Sequence, residues 1–197
     1  TQRTASSWHE DGRCCVRIMI RRLLEVLPCV RGFDTLWGFD SFTGLPEEIS
    51  GIKREGRHWN PGAFSSADAL GTFNSVKLFE QLKTKIHRKK TKFIKGFFNE
   101  SLTSQLLETH TFKPALIVDV DSDLYVSAKE CLEWMLRSRL MVPGTLLRYD
   151  DWKGHISWAE TRAHLEMTTI KYGLTWNNIT IQPGGLAEFQ LLSCNKC

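Results

Sequence analysis

The chain lacks any apolar run of the roughly 18 residues that a membrane-spanning helix needs, so no such helix is expected. It also lacks a dominant charge. Lys and Arg number 26 against 22 Asp and Glu, and the net charge of +4 gives no electrostatic case for nucleic acid. The densest basic run, Lys83 to Lys95, reads as a solvated helix end, where cations favour the helix dipole. Its six cysteines (Cys14, Cys15, Cys29, Cys131, Cys194 and Cys197) have no even spacing, and no apolar signal segment precedes them. Reduced thiols and a cytoplasmic location are the expectation. Cys194 and Cys197 have zinc-knuckle spacing, but a structural zinc needs four ligands and no second pair answers them. Internal repeats, low-complexity tracts and linkers are absent as well.

What is present is enough apolar material, 42% of 197 residues, for one sizeable core and a single α/β domain. Helical and strand patterns alternate from Val16 onward, the mark of a parallel sheet with helices on its faces. Val16 to Leu27 has helical spacing and stops at Pro28, and Leu36 to Phe39 is a short strand ending at Asp40. A Gly- and Pro-containing loop follows from Gly44 through Gly62, long enough to suggest a lid or substrate loop. Its Trp59 and His58 read as packed aromatics rather than ligand contacts. Ser66 to Ile86 reads as one or two helices, Thr91 to Gly96 as a strand, Ser101 to Thr109 as a helix and Ala115 to Val120 as a strand. A helix over Ser127 to Leu140 and a strand over Gly144 to Tyr149 come next, then a helix over Trp158 to Tyr172 with Gly173 as its C-cap. Ile179 to Ile181 and Ala187 to Leu192 flank Pro183-Gly184-Gly185 as a hairpin that closes the sheet with one antiparallel strand.

Two of these strands end in acids. The first runs into Asp119-Val-Asp121-Ser-Asp123, the second into Asp150-Asp151. Ligands in open α/β sheets bind outside the carboxyl ends of neighbouring strands. Carboxylates gathered there would repel and raise one another's pKa, so a hard divalent cation between them is the economical expectation. Solvated strand-end acids are the competing reading.

Gly38-Phe-Asp-Ser-Phe-Thr-Gly-Leu-Pro46, Lys95-Gly-Phe-Phe-Asn-Glu-Ser-Leu102, Asp121-Ser-Asp-Leu-Tyr125 and Val142-Pro-Gly144 leading to Asp150-Asp151 occur in the order and spacing of one family. The chain resembles the macrocin O-methyltransferases, which use S-adenosylmethionine and magnesium, from about Gly12 to Leu192. The resemblance implies a doubly wound, Rossmann-like methyltransferase sheet, mostly parallel with one antiparallel C-terminal strand. It implies an irregular segment over 1–15, a methyltransferase domain over 16–193 and a tail over 194–197. By the same resemblance Asp40 accepts hydrogen bonds from the cofactor's ribose hydroxyls, which suits a carboxylate with two acceptor oxygens. The plainer account of Asp40 is an acid capping its own turn. Gly12, Ser41, Gly96, Phe97 and Asp121 would also border the cofactor, and Asp121, Asp150 and Asp151 would hold Mg2+. Asp121 and His155 are the catalytic candidates, with a bystander loop histidine as the alternative for His155. Asp123 is a candidate hydrogen-bond acceptor behind the metal's ligands, or a base, and Asp119 an extra acid facing the same way as Asp121.

The substrate implied is a small hydroxylated metabolite, with neither nucleic acid nor membrane as partner and a homodimer left open. Residues 1–10 are polar and do not read as the family's first, central strand, so that strand is expected to be missing or degenerate. Arg148 is a charge inside a strand expected to be buried. Two other functions fit parts of the pattern: a metal-dependent glycosyltransferase built on Asp121-Ser-Asp123, and a truncated, non-catalytic methyltransferase-like domain.

Overall fold

The computed structural model describes residues 35–52, 59–86, 90–182 and 185–195. The expected helix over Val16 to Leu27, the 1–15 segment, Gly12, His58 and the Pro183-Gly184 turn lie outside the described residues. Strand β1 (Leu36–Asp40) pairs in parallel with β2 (Thr91–Lys95), from Leu36 opposite Thr91 to Asp40 opposite Lys95. A second sheet has the order β3-β4-β6-β5, formed by β3 (Ile117–Val120), β4 (Leu146–Trp152), β5 (Leu174–Ile181) and β6 (Gly185–Cys194). β3 and β4 are parallel, while β6 runs antiparallel to both β4 and β5. One antiparallel strand, β6, therefore closes an otherwise parallel arrangement, as the hairpin pattern predicts. Among the described residues no strand joins β1 to β3; the expected missing or degenerate first strand concerns residues 1–10, which lie outside the described residues.

The helices follow from local chemistry. Helix α1 (Ser66–Leu70) is capped by Ser65, whose hydroxyl accepts from the Asp68 N–H, and Gly71 ends it at φ 65°. Helix α2 (Ser75–Ile86) buries Leu78, Leu82 and Ile86, apolar residues spaced four apart on one face. The helix expected over Ser101 to Thr109 is instead two, α3 (Phe98–Ser101) and α4 (Ser104–Thr109). Thr103 is the cause: its hydroxyl caps the Leu106 N–H at 3.2 Å, which requires the extended backbone that interrupts the helix. Helix α5 (Tyr125–Arg137) contributes Leu132 and Leu136 to the main core, which also holds Leu147, Tyr149, Phe189 and Leu191. Helix α6 (Ala159–Ala163) continues as a π-helix over His164–Lys171, so the predicted single helix changes register halfway.

Arg148 does not reach solvent. It lies opposite Asp119 on β3 and Glu188 on β6, with Nη1 3.4 Å from Asp119 Oδ2 and Nε 2.9 Å from Glu188 Oε1. The Nε contact is within ion-pair range but off the hydrogen-bond line. A three-strand charge pairing thus crosses the sheet. Two cysteine findings bear on the expected redox state: Cys131 is a free thiol pushed by burial to a pKa of about 12, whereas Cys194 is disulfide-bonded rather than reduced. No helix among the described residues is long and apolar enough to cross a membrane.

His164 gives the fold a measurable pH dependence. Its ring is buried against Phe189, with centroids 4.6 Å apart, and Nδ1 lies 3.1 Å from the Tyr149 hydroxyl. Burial lowers its pKa from 6.5 to about 3. Between those values the unfolded chain binds a proton that the folded chain refuses, so this group's contribution to stability is lost as pH falls from 6.5 towards 3. Relative to His164→Phe, the wild type is expected to lose about 2 kcal/mol between pH 7 and pH 5, read from urea denaturation at each pH.

Candidate metal and cofactor site

The acids predicted at the tips of two strands do meet in space, with one change of membership. Asp121, Asp123 and Asp151 each offer a carboxylate oxygen, and these three atoms all lie within 4.8 Å of one another. Asp150, expected in the group, lies outside it. It is nevertheless the first charge, after burial itself, to push the Asp121 pKa well above its ordinary value, followed by Asp123, Asp151 and Asp119. The local backbone explains the exchange. β4 continues beyond the expected Tyr149 to Trp152, and its pairing with β6 slips between those two residues. The bulge falls on Asp150 and Asp151, and bulges re-aim side chains. Asp123 is turned inward by a left-handed backbone at φ 57°, a conformation that Asp tolerates better than most residues.

Four side chains outside the predicted set shape this turn. Glu160, fully buried in α6, accepts the Ser122 N–H at 3.2 Å and the Asp151 N–H at 3.0 Å. Burial raises its pKa well above the usual range, and Asp151 and Asp121 raise it further. Glu48, in the loop after β1, accepts the Tyr125 N–H at 2.6 Å and the Val126 N–H at 3.0 Å, capping α5 from 77 residues away. Trp59 donates its indole N–H to Asp123 Oδ1 at 3.3 Å, so this loop aromatic has a polar role beside any packing. Tyr125 donates its hydroxyl to Glu166, which Arg162 also holds at 2.7 Å. Glu160 left one trace in the sequence, a charge on the helical face shared with Ala163, His164 and Met167. Glu48 left none.

A cavity of about 520 Å³ opens between β1 and β3 and reaches Asp40, Gly96, Phe97, Asp121 and Asp123. That volume is in the range of small-molecule and cofactor sites. Asp40 uses Oδ1 to accept the Phe42 N–H, holding Phe42 at φ 59°, so the turn-capping account of Asp40 is realised and one oxygen is already engaged. Burial raises the Asp40 pKa against that hydrogen bond. Ser41 is engaged too, donating to the Gly44 carbonyl at 2.6 Å and accepting the Thr43 N–H at 3.1 Å. Gly96 adopts φ 143° and ties β2 to β1 through its N–H to the Asp40 carbonyl at 3.0 Å. A Cβ at Gly96 would come within 3.1 Å of the Ser101 Cβ, so a side chain there would crowd α3. His155 lies apart: it is exposed, its Nδ1 faces the Ser157 hydroxyl at 2.7 Å, and it does not line this cavity.

The donor set fits a divalent cation of the hard class. All three groups are carboxylates, and the elevated Asp121 pKa reports negative charge crowded into a desolvated place, which such a cation relieves.

No family model matches the chain, and no curated protein matches it. Solved structures do. The calicheamicin methyltransferase CalS11 superposes with a TM-score of 0.61 at 18% identity, over 85% of this chain and 65% of CalS11. The O-methyltransferase NovP gives a TM-score of 0.59 at 17% identity, over 89% of this chain and 67% of NovP. The chain thus spans about two thirds of each relative's length. At these identities the likeness shows the fold alone, a Rossmann-like α/β arrangement with the antiparallel strand already described.

Proposed function

We propose that this domain belongs to an S-adenosylmethionine-dependent O-methyltransferase, assisted by Mg2+, that methylates a hydroxyl of a small metabolite. The observation that carries the proposal is the meeting of three carboxylates from two strand tips, two of them lining the cavity that Asp40 and Gly96 also border. CalS11 and NovP, named as a methyltransferase and an O-methyltransferase, support the same reaction class here.

When bound, S-adenosylmethionine supplies an electrophilic methyl group, and Mg2+ polarises a substrate hydroxyl and fixes its position. Asp121, Asp123 and Asp151 would hold the cation, with Asp150 adding negative charge beside them. The free oxygen of Asp40 would receive a ribose hydroxyl, while its other oxygen keeps the turn in place. Trp59 steadies Asp123 through its indole N–H, and Phe39, Phe97 and Val118 give the cavity apolar walls. His155 has no part in this proposal.

Calorimetry separates this proposal from a nucleotide-sugar transferase built on Asp121-x-Asp123. S-adenosylhomocysteine is expected to bind and a nucleoside-diphosphate sugar is not. Labelled methyl transfer to hydroxylated acceptors is then expected to stop in excess chelator. Binding of the nucleotide sugar alone would overturn the proposal, and undiminished transfer in chelator would remove the metal from it.

A further inference from the structure

The two acidic tips are tied together by a side chain that belongs to neither of them. Glu160 Oε1 accepts the N–H of Ser122, between Asp121 and Asp123, and Glu160 Oε2 accepts the N–H of Asp151. One carboxylate therefore spans the end of β3 and the bulge of β4. Its relative exposure is 0%, and a buried carboxylate is costly unless its oxygens are hydrogen-bonded. Both oxygens are so used. A carboxylate is acceptor-only, which lets a single residue close both N–H bonds at once.

The opposite side of the same turn is held by Glu48, through the N–H groups of Tyr125 and Val126. Glu48 grips α5, whereas Glu160 joins the turn to β4. Beyond the last β3–β4 backbone pair, Val120 opposite Tyr149, Glu160 bridges the turn that holds Asp121 and Asp123 to the stretch of β4 that holds Asp151. Glu160 is not one of the three converging carboxylates, so any influence on a cation acts through the backbone it holds.

We propose that Glu160 is a positioning residue that fixes the spacing of the two acidic tips and thereby sets the affinity of the site for its divalent cation. This rests on the metal assignment above. Hydrogen-bonding partners behind metal ligands commonly contribute 10- to 100-fold in metal affinity.

The test is calorimetric titration of Mg2+ into the whole chain and two variants, each with its thermal midpoint recorded. Glu160→Gln keeps one acceptor oxygen but presents an amide N–H2 to the other backbone donor. It is expected to weaken Mg2+ binding by about 10- to 100-fold. Ala163→Gly loosens the same helix without touching either tip, and is expected to lower the midpoint while leaving Mg2+ affinity within about twofold. Should Glu160→Gln fail to fold, Glu160→Asp, one methylene too short to span both donors, is read in the same way. Wild-type affinity in the Glu160 variant overturns the proposal, as does an equal loss in Ala163→Gly. A wild type that binds no Mg2+ overturns the metal assignment itself, and is distinguished from the other outcomes by the first titration.

Discussion

Asp121→Asn is expected to stabilise the cation-free protein while abolishing its response to Mg2+. Asp121 is raised well above the ordinary carboxylate range by burial and then by Asp150, Asp123, Asp151 and Asp119. A folded-state pKa above the unfolded value means stability that is full below the unfolded pKa of 3.8 and is lost as pH rises through the folded one. At neutral pH in chelator the wild type therefore carries an electrostatic penalty that asparagine, nearly the same shape, removes. A gain of about 1–2 kcal/mol, or roughly 3–6 °C in thermal midpoint, is expected. With Mg2+ at about 100 times its dissociation constant the wild type should gain roughly 2.7 kcal/mol, and the variant almost nothing. Differential scanning fluorimetry with and without Mg2+ at pH 7.5 reads both effects.

Arg148→Met is expected to cost about 3 kcal/mol, or roughly 10 °C in thermal midpoint. The guanidinium sits between Asp119 and Glu188, and removing it leaves two acids facing each other across β4 with no cation between them. Lysine is no substitute, because a single ammonium does not present the fork that faces both neighbours. Replacing all three residues together, as Asp119→Asn, Arg148→Met and Glu188→Gln, is expected to restore most of the loss, since a buried pair removed as a unit is often close to neutral. Urea denaturation of the single and triple variants tests the coupling. Additive losses would show that the three side chains do not act as a unit.

The pattern of apolar runs ending in acids made much of this arrangement legible. Buried parallel strands carry little alternation, so Leu36 to Phe39, Ala115 to Val120 and Gly144 to Tyr149 stand out as short apolar segments, and Asp40, Asp121 and Asp150-Asp151 mark their ends. The hairpin around Pro183-Gly184-Gly185 disclosed the antiparallel strand in the same way. What stayed hidden depends on partners distant along the chain. Asp123 replaces Asp150 among the converging oxygens because of a bulge and a left-handed residue, and neither shows in periodicity. Glu160 meets a backbone donor 38 residues away and Glu48 one 77 residues away, so their roles follow only from the fold. Arg148 looked anomalous until the register set Asp119 and Glu188 on either side of it. Thr103 was the readable exception: a hydroxyl followed by a helical pattern is a start signal, and it divides the helix predicted over Ser101 to Thr109.

The central claim is that Asp121, Asp123 and Asp151 grip one divalent cation. Anomalous diffraction from crystals grown with Mn2+, which shares the oxygen preference of Mg2+ and scatters strongly enough to be located, tests it most directly. One peak per chain, bonded to oxygens of all three carboxylates, is the result expected. An empty cluster at saturating Mn2+, or a peak bound elsewhere in the chain, would contradict it.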